Sequence, residues 1–222
     1  MAGFTTFLRP IALLLAVLAT TSNLANAQCN NVQIVFARGS TEPQGLGICG
    51  APLVSAIKSA LPGKTVGSYA VVYAADAAQL SAGPGATAMT NYIKSYAAQC
   101  PNAVFVIGGY SQGASVTDIA IGIKTSLGSG EVIPTSLASR IKAVVTFGNP
   151  LGLFGKTLAQ ASPTYAAKSI EYCLTGDPVC GGGLIPAVHL LYPSRSVPEA
   201  ARRAAALVSS GSRNLRSDGD EN

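Results

Sequence analysis

Short, unbroken apolar runs alternate along this chain with stretches whose apolar residues recur every three or four positions. Val32 to Ala37 is rich in branched residues and reads as a strand. A loop through Arg38-Gly39-Ser40-Thr41-Glu42-Pro43 follows. Pro52 then opens a helix to about Leu61, which Pro62-Gly63 stops. Val66 to Tyr73 predicts a second strand, and Ser81, Gly83, Pro84 and Gly85 predict a loop. Met89, Ile93 and Tyr96 fall on one face of a helix over about 86–99. A third apolar run, Val104 to Ile107, leads through glycines into a helix expected to reach about Leu127. Ile141 to Phe147 and Lys168 to Leu174 supply two more strands. Pro198 to Val208 reads as the last helix, and 209–222 as a polar, flexible tail. Apolar strands alternating with helices predict an α/β fold: a three-layer α/β/α sandwich around a mostly parallel, five-stranded sheet.

The first residues follow a different pattern. Arg9 supplies a positive start, Ile11 to Leu18 an apolar core, and Ala25-Asn26-Ala27 a small-residue cleavage site. That predicts a secretory signal peptide over 1–27 and a single domain over 28–208. The run is too short and alanine-rich for a membrane span, and no later segment is long enough for one. The expected protein is secreted and extracellular, with no integral membrane contact. Charged residues make up only 11% of the chain and apolar ones 48%, which excludes a disordered class. The net charge of +5 gathers toward Arg195, Arg202, Arg203, Arg213 and Arg216. No basic stripe is interleaved with aromatics, so nucleic acid is not an expected partner.

Export makes disulfides expected among Cys29, Cys49, Cys100, Cys173 and Cys180. The odd count leaves at least one thiol over. Cys173 and Cys180 are close enough to staple a short loop. Cys29 and Cys100 each precede a strand and suit each other if those strands are neighbours, with Cys29–Cys49 as a rival. No C-x-x-C pair or histidine cluster exists, so no metal and no cofactor is expected.

Chemistry enters with Gly109-Tyr110-Ser111-Gln112-Gly113, a G-x-S-x-G between a strand and a helix. There the motif has mechanical meaning: a tight turn lifts the serine hydroxyl above the sheet. In a chain with 24 glycines the motif alone is weak. A serine nucleophile needs a base, and the chain has one histidine, His189. The imidazole in turn needs an orienting acid. Asp118, Glu131, Glu171 and Asp177 lie between Ser111 and His189. Asp177 sits in Gly176-Asp177-Pro178 at the end of a strand, bracketed by Cys173 and Cys180, which is where such an acid belongs. The oxyanion formed in acyl transfer needs donors. Gln112 supplies one from its backbone, and Ser40 in the loop after the first strand is the best second.

Ala37-Arg38-Gly39-Ser40-Thr41-Glu42, Gly108 to Gly113, Thr175-Gly176-Asp177-Pro178-Val179-Cys180 and the later His189 together resemble the cutinase family. The resemblance covers Cys29 to about Val208. It implies a secreted, lidless serine esterase of the α/β-hydrolase fold with Ser111 as nucleophile, His189 as base and Asp177 as orienting acid. Ser40 and Gln112 would form the oxyanion hole. Cys29 would pair with Cys100 and Cys173 with Cys180, leaving Cys49 free. Leu80, Pro84, Leu184 and Ile185 would flank a shallow substrate groove. The implied substrate is an insoluble, cutin-like polyester, hydrolysed by a monomer through an acyl-enzyme. An acetylxylan esterase or lipid esterase is the alternative, and a non-catalytic, secreted surface-binding protein is a more distant one.

Overall fold

The computed structural model describes Met1 and residues 29–217, with side chains to residue 210. The expected signal segment beyond Met1 and residues 218–222 lie outside the described residues. Five strands form one wholly parallel sheet in the order β2-β1-β3-β4-β5. They are β1 (Val32–Ala37), β2 (Val66–Ala70), β3 (Val104–Tyr110), β4 (Ile141–Phe147) and β5 (Ser169–Tyr172). The helices are α1 (Gly47–Ala60), α2 (Ala82–Gln99), α3 (Gln112–Ala120), the single-turn α4 (Leu158–Ala161) and α5 (Tyr192–Arg195), and α6 (Val197–Ser217).

Alternation along β1 shows how the layers are made. Val32, Ile34 and Phe36 pack in a core with Leu53 and Ile57 of α1 and with Val197, Ala204 and Val208 of α6. Val35 and Ala37 face the other way, into a core with Met89 and Ile93 of α2 and Val116 and Ile119 of α3. Successive side chains on a strand point to opposite faces, so a central strand buried on both sides is apolar except where a polar side chain finds a partner, as buried Gln33 does by donating to the Tyr92 hydroxyl at 2.7 Å. All six residues of β1 are buried. Burying one such side chain stabilises the fold by about 1.5–3 kcal/mol.

The strands and layers match the sequence pattern, but several ends do not. α1 starts at Gly47, before Pro52, because Glu42 Oε1 accepts the Ile48 N–H at 2.7 Å and starts the helix early. A proline in the second turn then forfeits only one helical bond. The segment holding Gly83, Pro84 and Gly85 is not a loop: it forms the first turn of α2. A Cβ on Gly85 would press within 2.8 Å of Val116 Cγ2, so that glycine serves close packing of α2 on α3. α3 stops at Ala120, not near Leu127, where Gly122 takes a left-handed conformation at φ +86°. α6 continues past Val208 to Ser217. β2 and β5 are each shorter than expected.

β1 connects to β2 on one side and, through α2, the chain returns to β3 on the other. In a parallel sheet this reversal opens a crevice beyond the carboxyl ends of the two strands. Ser40 follows β1 and Ser111 follows β3, with Ala37 and Gly109 in register. At the opposite end, Cys29 is bonded to Cys100 ahead of the same two strands. Cys173 is bonded to Cys180, and Cys49 is buried and free. Burial, with the charge of Glu42 second, pushes the Cys49 thiol well up, so it stays protonated and inert.

Candidate active site

Ser111 occupies the turn from β3 into α3 with φ 56° and ψ −121°, a conformation that non-glycine residues rarely adopt. The surroundings impose it. The Ser111 N–H donates to the Phe147 carbonyl at 2.9 Å, and the Ala114 N–H donates back to the Ser111 carbonyl at 2.9 Å. A side chain on Gly109 would collide with the Gly113 carbonyl, and one on Gly113 with the Ala37 carbonyl. The flanking glycines are therefore required by close backbone approach. The Gln112 N–H, at the first position of α3, has no acceptor within the helix, which leaves it available to an anion beside Ser111.

The loop after β1 is built to hold its place. Arg38 is buried. It donates from Nε to the Glu42 carbonyl at 2.7 Å and from its two terminal nitrogens to Gln44 Oε1 and the Tyr73 carbonyl, each at 2.8 Å. Tyr73 returns a hydrogen bond to the Arg38 carbonyl. Glu42 Oε2 accepts the Gly39 N–H at 2.5 Å. Ser40 Oγ donates to Gln112 Oε1 at 3.2 Å, and Gln112 Nε2 donates to Ser81 Oγ at 3.3 Å. Ser81 Oγ then donates to Asp76 Oδ2 at 2.5 Å. The Ser81 hydroxyl, with the Leu80 N–H behind it, holds the Asp76 carboxyl down at about 2. Ser40 and Gln112 are thus adjacent, as the sequence suggested. The Ser81–Asp76 extension was not legible there.

Asp177 and His189 meet at 2.8 Å, from Oδ2 to Nδ1. Asp177 is fully buried, and its loop is tied by the Cys173–Cys180 bond. Its Oδ1 accepts the Val179 N–H at 2.8 Å, and its Oδ2 also accepts the Tyr192 hydroxyl at 2.5 Å. Tyr192 is fully buried and accepts the Leu174 N–H at 3.1 Å. The imidazole stacks on Tyr110 with ring centres 4.8 Å apart, while the Tyr110 hydroxyl donates to the His189 carbonyl at 2.7 Å. Gly148, after β4, backs the ring: a Cβ there would lie 2.6 Å from His189 Cε1. His189 Nε2 is buried without a hydrogen-bond partner, so the bond to Ser111 is not made here. Such bonds commonly tighten only around substrate. Tyr110 and Tyr192 were missed as site residues. Tyr110 sits inside the G-x-S-x-G, and Tyr192 lies three residues beyond His189, which was the available signal.

The other candidate acids are engaged elsewhere. Glu131 pairs with Lys94 at 3.3 Å, and Glu171 accepts the Leu158 N–H at 3.1 Å. Asp118 is fully buried; its Oδ1 accepts from Asn149 Nδ2 at 3.0 Å. Burial pushes its carboxyl up to about 8, against the lowering effect of Asn149 and with a smaller contribution from the charge of Glu171. A free aspartate titrates near 4, so between about pH 4 and 8 the folded protein holds a proton the unfolded chain has lost. The contribution of Asp118 to stability is intact below that window, falls as pH rises through it, and is gone above it. Asp118→Asn is expected to remove this slope. Tm measured across the window would show it, and parallel profiles for the two proteins would refute it.

Of the expected groove residues, Leu80 is 79% exposed, Leu184 92% and Ile185 55%. Pro84 is exposed on the first turn of α2. Among the described residues no cluster of His, Cys, Asp and Glu is arranged to hold a metal, and no helix is long and apolar enough to cross a membrane.

A sequence model of the Cutinase family matches residues 28–208. A cutinase of Kineococcus radiotolerans is 52% identical over 185 residues, 82% of this chain and 63% of the relative. This chain therefore spans less than two thirds of that relative's length. Among solved structures, a Trichoderma reesei cutinase in complex with a C11Y4 phosphonate inhibitor superposes with a TM-score of 0.63 at 32% identity, covering 84% of this chain and 78% of that one. The catalytic core domain of acetyl xylan esterase from the same organism gives 0.68 at 27% identity, over 83% and 100% of the two chains. By the extent of the family match and the identity to a curated relative, the chain belongs to the Cutinase family.

Proposed function

We propose that this chain is a secreted carboxylic ester hydrolase that cleaves cutin-like polyester through a Ser-His-Asp acyl-enzyme mechanism. The observation that carries the reading is the buried Asp177–His189 pair on the same rim of the sheet as the strained Ser111 turn. Ser111 Oγ attacks the ester carbonyl as His189 Nε2 takes its proton. Asp177 fixes the imidazole tautomer by accepting from Nδ1 and stabilises the imidazolium that forms. Negative charge developing on the carbonyl oxygen is met by the Gln112 N–H and by the Ser40 hydroxyl, which turns from Gln112 Oε1. The alcohol leaves with the proton from His189. Water then enters by the same base, attacks the acyl-enzyme, and frees the acid and Ser111.

Leu80, Leu184 and Ile185 are exposed, and as flanks of the proposed groove they would favour an insoluble, apolar ester over a polar polysaccharide. The related cutinases agree with that choice. The likeness to an acetyl xylan esterase supports deacetylation of xylan as a second reading. Two disulfides suit an oxidising, extracellular location, and an adsorbed monomer is sufficient for the chemistry. Purified protein is expected to release hydroxy fatty acids from cutin faster than acetate from acetylated xylan or acid from long-chain triglyceride. Faster acetate release would establish the xylan reading instead. No release from any of the three would favour a non-catalytic binding protein.

A further inference from the structure

Tyr192 opens α5, and its hydroxyl reaches back to Asp177. Donor counting fixes the direction of its contacts. A phenol has one proton to give and can accept in return. Here the oxygen accepts the Leu174 N–H at 3.1 Å. Cys180 Sγ lies 3.3 Å away, but it is bonded to Cys173 and carries no hydrogen to donate. The phenolic proton goes to Asp177 Oδ2 at 2.5 Å. Burial first, and this bond second, push the Tyr192 phenol far up, so it stays a donor across the neutral range. Oδ2 is thus shared, because the same oxygen meets His189 Nδ1 at 2.8 Å.

Asp177 is fully buried, so its charge is met by neighbouring donors rather than by solvent. The Val179 N–H serves Oδ1, and the Tyr192 hydroxyl and His189 Nδ1 serve Oδ2. Without the hydroxyl the carboxylate is less well compensated, and a proton on the adjoining imidazole becomes more favourable. An imidazole that already holds that proton cannot act as a base. We infer that Tyr192 is a positioning residue that acts through Asp177: by sharing Oδ2 with His189 it limits how firmly the pair holds a proton, and so keeps Nε2 free to take the one from Ser111. This rests on the Ser-His-Asp reading above. The other titratable groups around the pair do not depend on the hydroxyl. Tyr110 of β3 stacks on the imidazole, and its phenol is pushed up by burial first, then by Cys49 of α1, Glu42 and Asp177. Cys49 stays protonated, and Glu42 is held by the Gly39 and Ile48 N–H groups.

Tyr192→Phe keeps the ring, with its packing against Tyr110 and Phe147, and removes only the hydroxyl. His189 is the one histidine of the chain, so isotope-labelled histidine gives a single imidazole titration, read by NMR without substrate. In Tyr192→Phe its midpoint is expected about one pH unit higher than in wild type. On a short p-nitrophenyl ester the variant should lose roughly tenfold in kcat/KM on the acid limb of the pH profile and little on the alkaline plateau. A merely structural defect would lower the rate alike at every pH. In an Asp177→Asn background the same change should move the midpoint no further, because the hydroxyl acts only through the carboxylate. Should Tyr192→Phe fold poorly, a ring-fluorinated tyrosine in place of Tyr192 keeps the hydroxyl and its Leu174 bond but is a stronger donor. The midpoint is then expected lower. A midpoint that neither change moves, or that Tyr192→Phe moves equally with Asn at 177, would overturn the role. A moved midpoint in a protein that hydrolyses no ester supports the shared Oδ2 even where the esterase reading fails.

Discussion

Ser111→Ala is expected to lower kcat/KM on a short p-nitrophenyl ester by about 10⁴-fold or more. The reason lies in what the variant keeps. The Asp177–His189 pair, the free N–H of Gln112 and the Ser40 hydroxyl all remain, so a carbonyl still binds and polarises. No atom is left to form the acyl-enzyme, and the base can only assist water. The residual rate should therefore exceed the uncatalysed one while burst kinetics vanish. The backbone strain at Ser111 also belongs to the turn rather than to the hydroxyl. Alanine must adopt the same φ of 56°, so stability should hardly change. Activity within tenfold of wild type would remove Ser111 from the mechanism.

The second large effect is expected from Asp177→Asn: a fall in kcat of roughly 10³–10⁴-fold with little change in KM. Every contact of this carboxylate is a donor aimed at it. Val179 N–H points at Oδ1, and the Tyr192 hydroxyl and His189 Nδ1 converge on Oδ2. An amide brings an NH₂ where only acceptors fit, so one donor must be opposed. If the NH₂ takes the Oδ2 position, Nδ1 becomes an acceptor and Nε2 carries the proton. That is the wrong tautomer for a base. If it takes the Oδ1 position, the Val179 bond is lost and the loop must move. Rates measured beside Tm separate the two cases. Activity near wild type with Tm unchanged would show that His189 works without this acid.

Much of this was legible in the chain. The strands were visible because a sheet covered on both faces demands mostly apolar runs, as β1 shows, broken there only by the hydrogen-bonded Gln33. The choice of Asp177 among four acids followed from its turn and flanking cysteines. The condition placed on Cys29 and Cys100, that their strands be neighbours, is met by the pairing of β1 with β3. Misread elements share a cause. Gly83, Pro84 and Gly85 look like loop residues, yet Gly85 lets α2 approach Val116 and Tyr73. The early start of α1 depends on the Glu42 side chain, a contact that no periodicity reveals. Tyr192 has the composition of an ordinary core aromatic, and only folding brings its hydroxyl to Asp177.

The alignment of Ala37 with Gly109 on adjacent strands has a consequence for how this scaffold can change. The turn that bears Ser111 and the loop that bears Ser40 are extensions of two hydrogen-bonded strands at the centre of the sheet. The residues proposed to flank the substrate groove, Leu80, Pro84, Leu184 and Ile185, lie outside that pair. On the proposed function, reaction and selectivity are thus held by separate parts of the backbone. Insertions or substitutions in the outer segments can retune what is cleaved while the spacing of Ser40 and Ser111 stays locked. One sheet can in this way serve a lineage of enzymes with different diets.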